Sequence, residues 1–157
     1  MTEDGLHEVR LLGFPIALHK RSTEHHEELM REFQLLAIDP EPRKDVPRRL
    51  VQLVAELTQS YGGMTSGTDA ERDAAAERGD DTVDLTYRIP AAAAEAAVQL
   101  DRMLDEADEF CRSDQLLTLA APEETVAFRK WYLGEFPAQV AGAAPTPWAE
   151  VATSTPR

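Results

Sequence analysis

The stretch Pro15–Ala37, PIALHKRSTEHHEELMREFQLLA, decides the fold, because it carries the longest helical pattern in the chain. Along it His19, Ser22, His26, Leu29, Phe33 and Leu36 recur at alternating spacings of three and four, which predicts a heptad seam facing a partner helix. Pro15 suits a first helical turn, where its missing N–H costs nothing, and the 22 residues after it contain neither Gly nor Pro. A second parse starts the helix at a Ser22 or Thr23 cap and makes Val9–Leu18 a strand, which Pro15 would confine to a sheet edge. The unbroken spacing through His19 and Ser22 favours the long helix. Two histidines, His19 and His26, therefore share one seam, as a polar layer of the core or as a ligand or proton site.

Working outward, Asp39-Pro40-Glu41-Pro42 stops this helix, since a residue before proline is pushed out of the α region. Asp45 then caps a second helix to about Tyr61, with Leu50, Val54, Leu57 and Tyr61 on its seam and Gly62-Gly63 at its end. Residues 62–81 lose their large apolar side chains after Met64 and read as a solvated connection, with helix-forming composition at Asp69–Arg78. Thr82–Ile89 alternates Val83, Leu85, Tyr87 and Ile89 with polar residues, the period of a strand with one buried face. Such a strand lacks a sheet unless Val9–Phe14 pairs with it.

Pro90 opens a third helix to Arg112 with Ala93, Ala97, Leu100, Leu104, Ala107 and Cys111 on its seam, and Asp101, Asp105 and Asp108 form an acidic stripe that reads first as a solvated face. Leu116–Pro122 is an apolar connector. A fourth helix from Pro122 to Val140 carries Phe128, Trp131, Tyr132 and Phe136, and Pro137 is expected to kink or end it. The expected architecture is mostly all-α: a four-helix bundle in residues 1–140, with a long 62–89 connection holding one extended segment, and a disordered tail over 141–157.

Composition narrows the function. One domain is the size prior for 157 residues, and 29 acidic against 16 basic side chains give a net charge of -13, a field that repels phosphate backbones and anionic lipid. Neither nucleic acid nor membrane is expected as a partner. The acidic N-terminus lacks an apolar signal core, and a single cysteine fits a reducing compartment, so a cytoplasmic location is expected.

The eight glycines form no phosphate-binding loop, no G-x-S-x-G elbow is present, and one cysteine cannot build a zinc site. No Glu-x-x-His occurs on the histidine-bearing helix, so a di-iron bundle is not indicated. His19 and His26 lie one heptad, roughly 10 Å, apart along the axis, too far to share an ion without His25 or carboxylates of the acidic helix. No enzyme, cofactor or metal is expected. Candidate binding residues are His19 and His26 inside the bundle, and Phe128, Trp131 and Tyr132, whose aromatic surface exceeds one seam; core packing is the first reading of these rings, with at least one of Trp131 or Tyr132 able to meet a partner subunit.

The segments DEADEFCRSDQLLTLAAPEE, FRKWYLGEF and PTPW are similar to small, little-characterised proteins of high-GC Gram-positive bacteria associated with partner-switching regulators: anti-sigma kinases, their antagonists and cognate phosphatases. That resemblance implies a regulatory or adaptor protein acting by protein contact, in sigma-factor or stress signalling, with a protein partner or as a homodimer. It assigns no catalytic residue, and the glycine-rich ATP boxes of such kinases are absent. The alternative from the residues is a small-molecule or metal sensor using the histidine-lined bundle interior.

Overall fold

A computed structural model describes residues 5–36, 38, 45–64, 66–113 and 121–154. The turn expected at Asp39–Pro42 lies outside them, as does the apolar connector except for Ala121 and Pro122. The elements run β1 (Leu6–Pro15), α1 (Ile16–Leu36), α2 (Asp45–Tyr61), a 3-10 turn at Gly62–Met64, α3 (Ser66–Glu77), β2 (Thr82–Pro90), α4 (Ala91–Ser113), α5 (Glu123–Val140) and α6 (Trp148–Ser154). All four expected long helices are present, and they touch in a ring: α1 on α2, α2 on α4, α4 on α5 and α5 on α1. The fold is mostly helical with a small antiparallel sheet, so the expectation of four helices and a single extended segment needs amending in three places.

The first is the sheet. β1 and β2 pair antiparallel from Leu6↔Pro90 to Pro15↔Thr82, and the lead-in to the histidine helix is therefore the missing strand partner. Both parses of this region hold in part, because the strand ends at Pro15 and the long helix begins at the next residue. Between the pairs Leu11↔Leu85 and Phe14↔Val83, β1 carries an extra residue. Gly13 makes that bulge with φ +65, a left-handed conformation glycine adopts without a Cβ penalty, and its N–H donates to Asp84 Oδ1 at 2.8 Å. The bulge returns Phe14 to the buried face, beside Val9 and Leu11.

Both sheet edges are covered, as an exposed strand edge would invite unwanted pairing. On β1 the Gln139 side chain of α5 acts as a strand would, accepting from Arg10 N–H and donating to Arg10 C=O, both at 2.8 Å. On β2 the neighbour is α3, where Thr68 Oγ1 donates to Thr86 C=O at 3.3 Å. This helix is the second amendment: the 62–81 connection contains a twelve-residue helix with Ala75 fully buried.

The third amendment is the C-terminal segment. Residues 141–154 fold back rather than trail, and α6 packs on β1 and α5. Trp131 Nε1–H donates to Thr146 C=O at 2.7 Å, and Thr146 N–H donates to the buried Glu135 carboxylate at 2.9 Å. Trp148 then covers Trp131 and Phe128, with ring centroids 5.5 and 5.9 Å apart. Composition alone hid this, because one tryptophan and one backbone carbonyl anchor an otherwise Pro-, Ala- and Thr-rich segment. Pro137 does not end α5, which runs on to Val140.

Two hydrophobic clusters result. The upper one joins β1, β2, the start of α1 and α4, and α5 through Val9, Leu11, Phe14, Leu18, Leu85, Tyr87, Phe128, Trp131 and Phe136. The lower one joins α1, α2 and α4 through Leu29, Phe33, Leu50, Ala107, Phe110 and Cys111. Leu100 and Leu104 of α4 pack against both.

Candidate functional site

Where the two clusters meet, α1, α4 and α5 leave a cleft of about 350 Å³. Its cause is visible on α1. Leu18 packs into the upper cluster and Leu29 and Phe33 into the lower one, but the positions between them on the same side are Ser22, His25 and His26. Short or polar side chains stand where a packed bundle would have leucine, and the space they do not fill stays open. Leu29, Leu100, Leu104, Phe128 and Leu133 form the apolar wall, while His19, Ser22, Thr23, His25, His26, Thr125, Arg129, Tyr132 and Asp108 supply polar groups.

Four of the five nominated residues meet here: His19, His26, Phe128 and Tyr132 all line the cleft. Trp131 does not. It lies in the upper cluster under Trp148, only 5% exposed, and Phe128 is buried as well. Trp131 and Phe128 thus follow the core-packing reading, because β1 and α6 of the same chain cover them, and Trp131 is corrected as a candidate for contact with a partner subunit. Phe14 is the hub, with its ring 5.5 Å from Phe128, 5.8 Å from Tyr132 and 5.1 Å from His19. Tyr132 also shares a 3.2 Å hydrogen bond with the Tyr87 hydroxyl, and burial, the largest cause for each, raises both phenols above their ordinary pKa.

The histidines differ from expectation in their partners. His19 Nε2 lies 3.3 Å from Thr23 Oγ1, one turn along its own helix. Burial against Phe14 and Phe128 lowers the His19 pKa to about 4, with Arg72 adding to the effect and Asp69 and Asp73 opposing it. Burial, then the neighbouring His25, lowers that of His26, and Glu27 opposes. Both imidazoles are therefore uncharged at neutral pH. Among the described residues no group of three or more His, Cys, Asp or Glu side chains is placed to hold a metal ion.

Asp108 and Arg129, which line the cleft, belong to an ionic cluster behind it that the sequence reading did not anticipate. The Asp101, Asp105 and Asp108 stripe, expected as a solvated face, is met by Arg129 and Lys130 of α5. Arg129 Nη2 bonds Asp105 Oδ1 at 2.7 Å and lies 3.9 Å from Asp108 Oδ2, and Lys130 Nζ bonds Asp105 Oδ2 at 2.8 Å. Asp108 is itself buried, and its Oδ1 accepts from Ala121 N–H at 3.1 Å. Burial works to raise the Asp105 pKa, but the Lys130 hydrogen bond and the Arg129 charge outweigh it and hold the carboxyl below its usual value. The signal for this cluster lay in the sequence, as Arg129 and Lys130 stand in the middle of the aromatic run and nothing else on that helix could answer three aspartates.

Two buried side-chain nitrogens among the described residues have no hydrogen-bond partner, Nε of Arg129 and Nε2 of His25. The Arg129 side chain is only 12% exposed, and its Nε lies 3.4 Å from Asp101 Oδ1 without forming a hydrogen bond. Both residues line the cleft. Both nitrogens are themselves buried, so they stand behind the surface of the cleft rather than on it. No known protein family, curated protein or solved structure matches this chain.

Proposed function

We propose that this chain is a non-enzymatic regulatory protein that binds a small molecule in the cleft between its two cores. The observation that supports it is the cleft of about 350 Å³ between α1, α4 and α5, whose apolar wall is bordered by the polar side chains of His19, Ser22, His26 and Thr125. That volume falls in the range of roughly 300–1,000 Å³ common to small-molecule sites, which are typically apolar with a few placed polar groups. A ligand there would bridge α1, α4 and α5, so its binding would change how firmly the upper and lower cores are held together. This is a means of signalling that needs no catalytic residue.

The test is to restore the interrupted seam. In Ser22→Leu the new side chain fills the cleft. The thermal midpoint should rise, and binding of bicyclic aromatic fragments, followed by ligand-observed NMR, should disappear. Stabilisation by Ser22→Leu in a protein whose wild type binds no fragment would mean that the cleft is a packing defect.

A second reading, an adaptor working by protein contact or as a homodimer, draws on Leu35 in the last turn of α1 and Ile38 beyond it, which are 62% and 80% exposed. Light scattering on the wild type and on Leu35→Gln/Ile38→Gln tests it, and an unchanged monomer in both would remove it.

A further inference from the structure

Away from the cleft, the end of β1, the start of α1, the start of α5 and α6 border a surface groove of about 530 Å³ that shares no lining residue with it. Pro15, Ala127 and the half-buried Trp148 supply accessible apolar surface. Arg21, Asp81, Glu123 and Glu124 supply the charges, and all four are exposed. The borders are held by contacts of their own. Ile16 N–H donates to Asp81 C=O at 3.1 Å, which ties the residue before β2 to the first residue of α1. Trp148 is seated on Trp131 and Phe128, and Thr146 just before it is bonded to Trp131 and Glu135. The groove is therefore formed in the chain alone, and docking there loses little to ordering it.

Charge selects what fits. Arg21 of α1 pairs with Glu124 of α5. That leaves the carboxylates of Asp81 and Glu123, which have no ion pair or hydrogen bond among the described residues. Three carboxylates thus stand against one guanidinium, in a chain of net charge -13. A helix N-terminus would ordinarily attract an anion, but Glu123 and Glu124 in the first turn of α5 already complement its dipole. A cation is favoured, and the indole in the same groove favours a planar one. Guanidinium stacks on aromatic rings and donates to carboxylates in pairs, whereas an ammonium remains a strongly hydrated point charge. The apolar surface of Pro15 and Ala127 then suits an apolar neighbour of that cation along one segment.

We propose that this groove docks an arginine-bearing segment of a basic protein partner, with the guanidinium against the Trp148 indole and the carboxylates of Asp81 and Glu123, and an adjacent apolar side chain on Pro15 and Ala127. The negative field of the chain steers such a partner inward, and the groove fixes which residue it presents.

The probes are a capped Leu-Arg-Leu peptide and the same peptide with neutral citrulline in place of arginine. Each is titrated into the isotope-labelled full chain at low salt and followed at the indole N–H signal of Trp148. The arginine peptide should move that signal and bind at least fivefold more tightly than the citrulline one. Asp81→Asn/Glu123→Gln, with circular dichroism unchanged, should weaken it about fivefold, the scale of two exposed ion pairs. Equal binding of the two peptides overturns the recognition of charge, and an unaltered affinity in the double variant overturns the role of the two carboxylates. A Trp148 signal that does not move overturns the groove as the site. Movement of that signal on diluting the protein alone would give the groove to a second copy of this chain, and equal movement with guanidinium chloride at the same concentration would reduce it to a cation site. Either result overturns the partner segment.

Discussion

The two cores of this chain solve the same packing problem with different materials. The lower core is a meeting of three helices through Leu29, Phe33, Leu50, Ala107, Phe110 and Cys111, with one aromatic pair, Phe33 and Phe110, edge to face at 5.6 Å. The upper core is built from rings, in which Phe14, Tyr87, Phe128, Trp131, Tyr132, Phe136 and Trp148 form a continuous chain of contacts. Helices can slide and tilt to close a gap between aliphatic side chains, whereas rings in tilted and edge-on contact fix their neighbours' positions. The cleft lies where these two regimes meet on α1 and α4. Neither side can relax into it: the ring network holds α5 in place from above, and Phe33 and Leu29 hold α1 from below.

The strongest way to break this arrangement is to empty the lower core. Phe33→Ala should cost about 3–5 kcal/mol, because a fully buried phenyl leaves a void three helices must collapse into. Since Leu100 and Leu104 belong to both clusters, unfolding followed by far-UV circular dichroism and by tryptophan fluorescence should shift together. Separate transitions, with the tryptophans of the upper core unaffected, would show that the two cores fold independently.

Next in size is the link between the cores. Arg129→Met keeps the length of the side chain but leaves Asp108 buried with only the Ala121 N–H and Asp105 with only Lys130. A loss of roughly 3 kcal/mol is expected in chemical denaturation, as for removing one partner of a buried ion pair. The double variant Arg129→Met/Asp108→Leu should recover part of it. No recovery would mean that Arg129 acts through packing rather than charge.

How much of this difference could be read in the sequence depends on whether the deciding contact was local. The lower core was legible: the spacing of Leu29 and Phe33, and the seam of the third helix through Ala107 and Cys111, are helical periodicities that need no knowledge of the partner. The strand alternation Leu85, Tyr87, Ile89 was equally plain. The upper core was not, because each of its deciding contacts spans a long stretch of chain. Gln139 guards Arg10 across 129 residues, and Tyr132 reaches Tyr87 across 45. His19 and His26 could be picked out because they interrupt a seam, and the same interruption creates the cleft. Trp131 stayed open between core and partner contact, since an aromatic surplus on a helix looks identical whether a second subunit or the chain's own C-terminal segment covers it.

A smaller effect separates the cores by pH. His19 sits in the upper ring network with its pKa lowered to about 4 by burial against Phe14 and Phe128, then by Arg72, while Asp69 and Asp73 pull the other way. In the unfolded chain its pKa is near the ordinary value of about 6.5, so the unfolded state binds the proton first. The stability that neutral His19 contributes is complete above pH 6.5 and is lost as pH falls toward 4. His26, shifted in the same direction, adds to the loss. His19→Phe cannot titrate and keeps an aromatic ring beside Phe14. The stability difference between pH 7.5 and pH 4.5 should therefore shrink by about 2 kcal/mol relative to wild type. An unchanged pH slope would place the acid sensitivity elsewhere, first in His26, whose pKa burial lowers in the same direction and from the same ordinary value.

The smallest change tests the polar contact inside the ring network. Tyr87→Phe deletes one hydroxyl from a side chain that is 2% exposed and leaves the Tyr132 hydroxyl without its 3.2 Å partner. The ring contacts of residue 87 with Tyr132 at 6.5 Å and Phe136 at 5.2 Å survive the substitution, so only the hydrogen bond is removed. A loss of about 1 kcal/mol follows if Tyr132 then finds no other partner. Tyr132, however, also borders the cleft, where a bound molecule with a polar group would offer it one. The cost of Tyr87→Phe should therefore be largest in the empty protein and smaller when a hydroxyl- or carbonyl-bearing bicyclic aromatic fragment is saturating, a difference read directly from paired thermal melts. Equal costs with and without ligand would show that the Tyr132 hydroxyl stays turned toward the rings, and that the upper core closes over its polar groups independently of what the cleft holds.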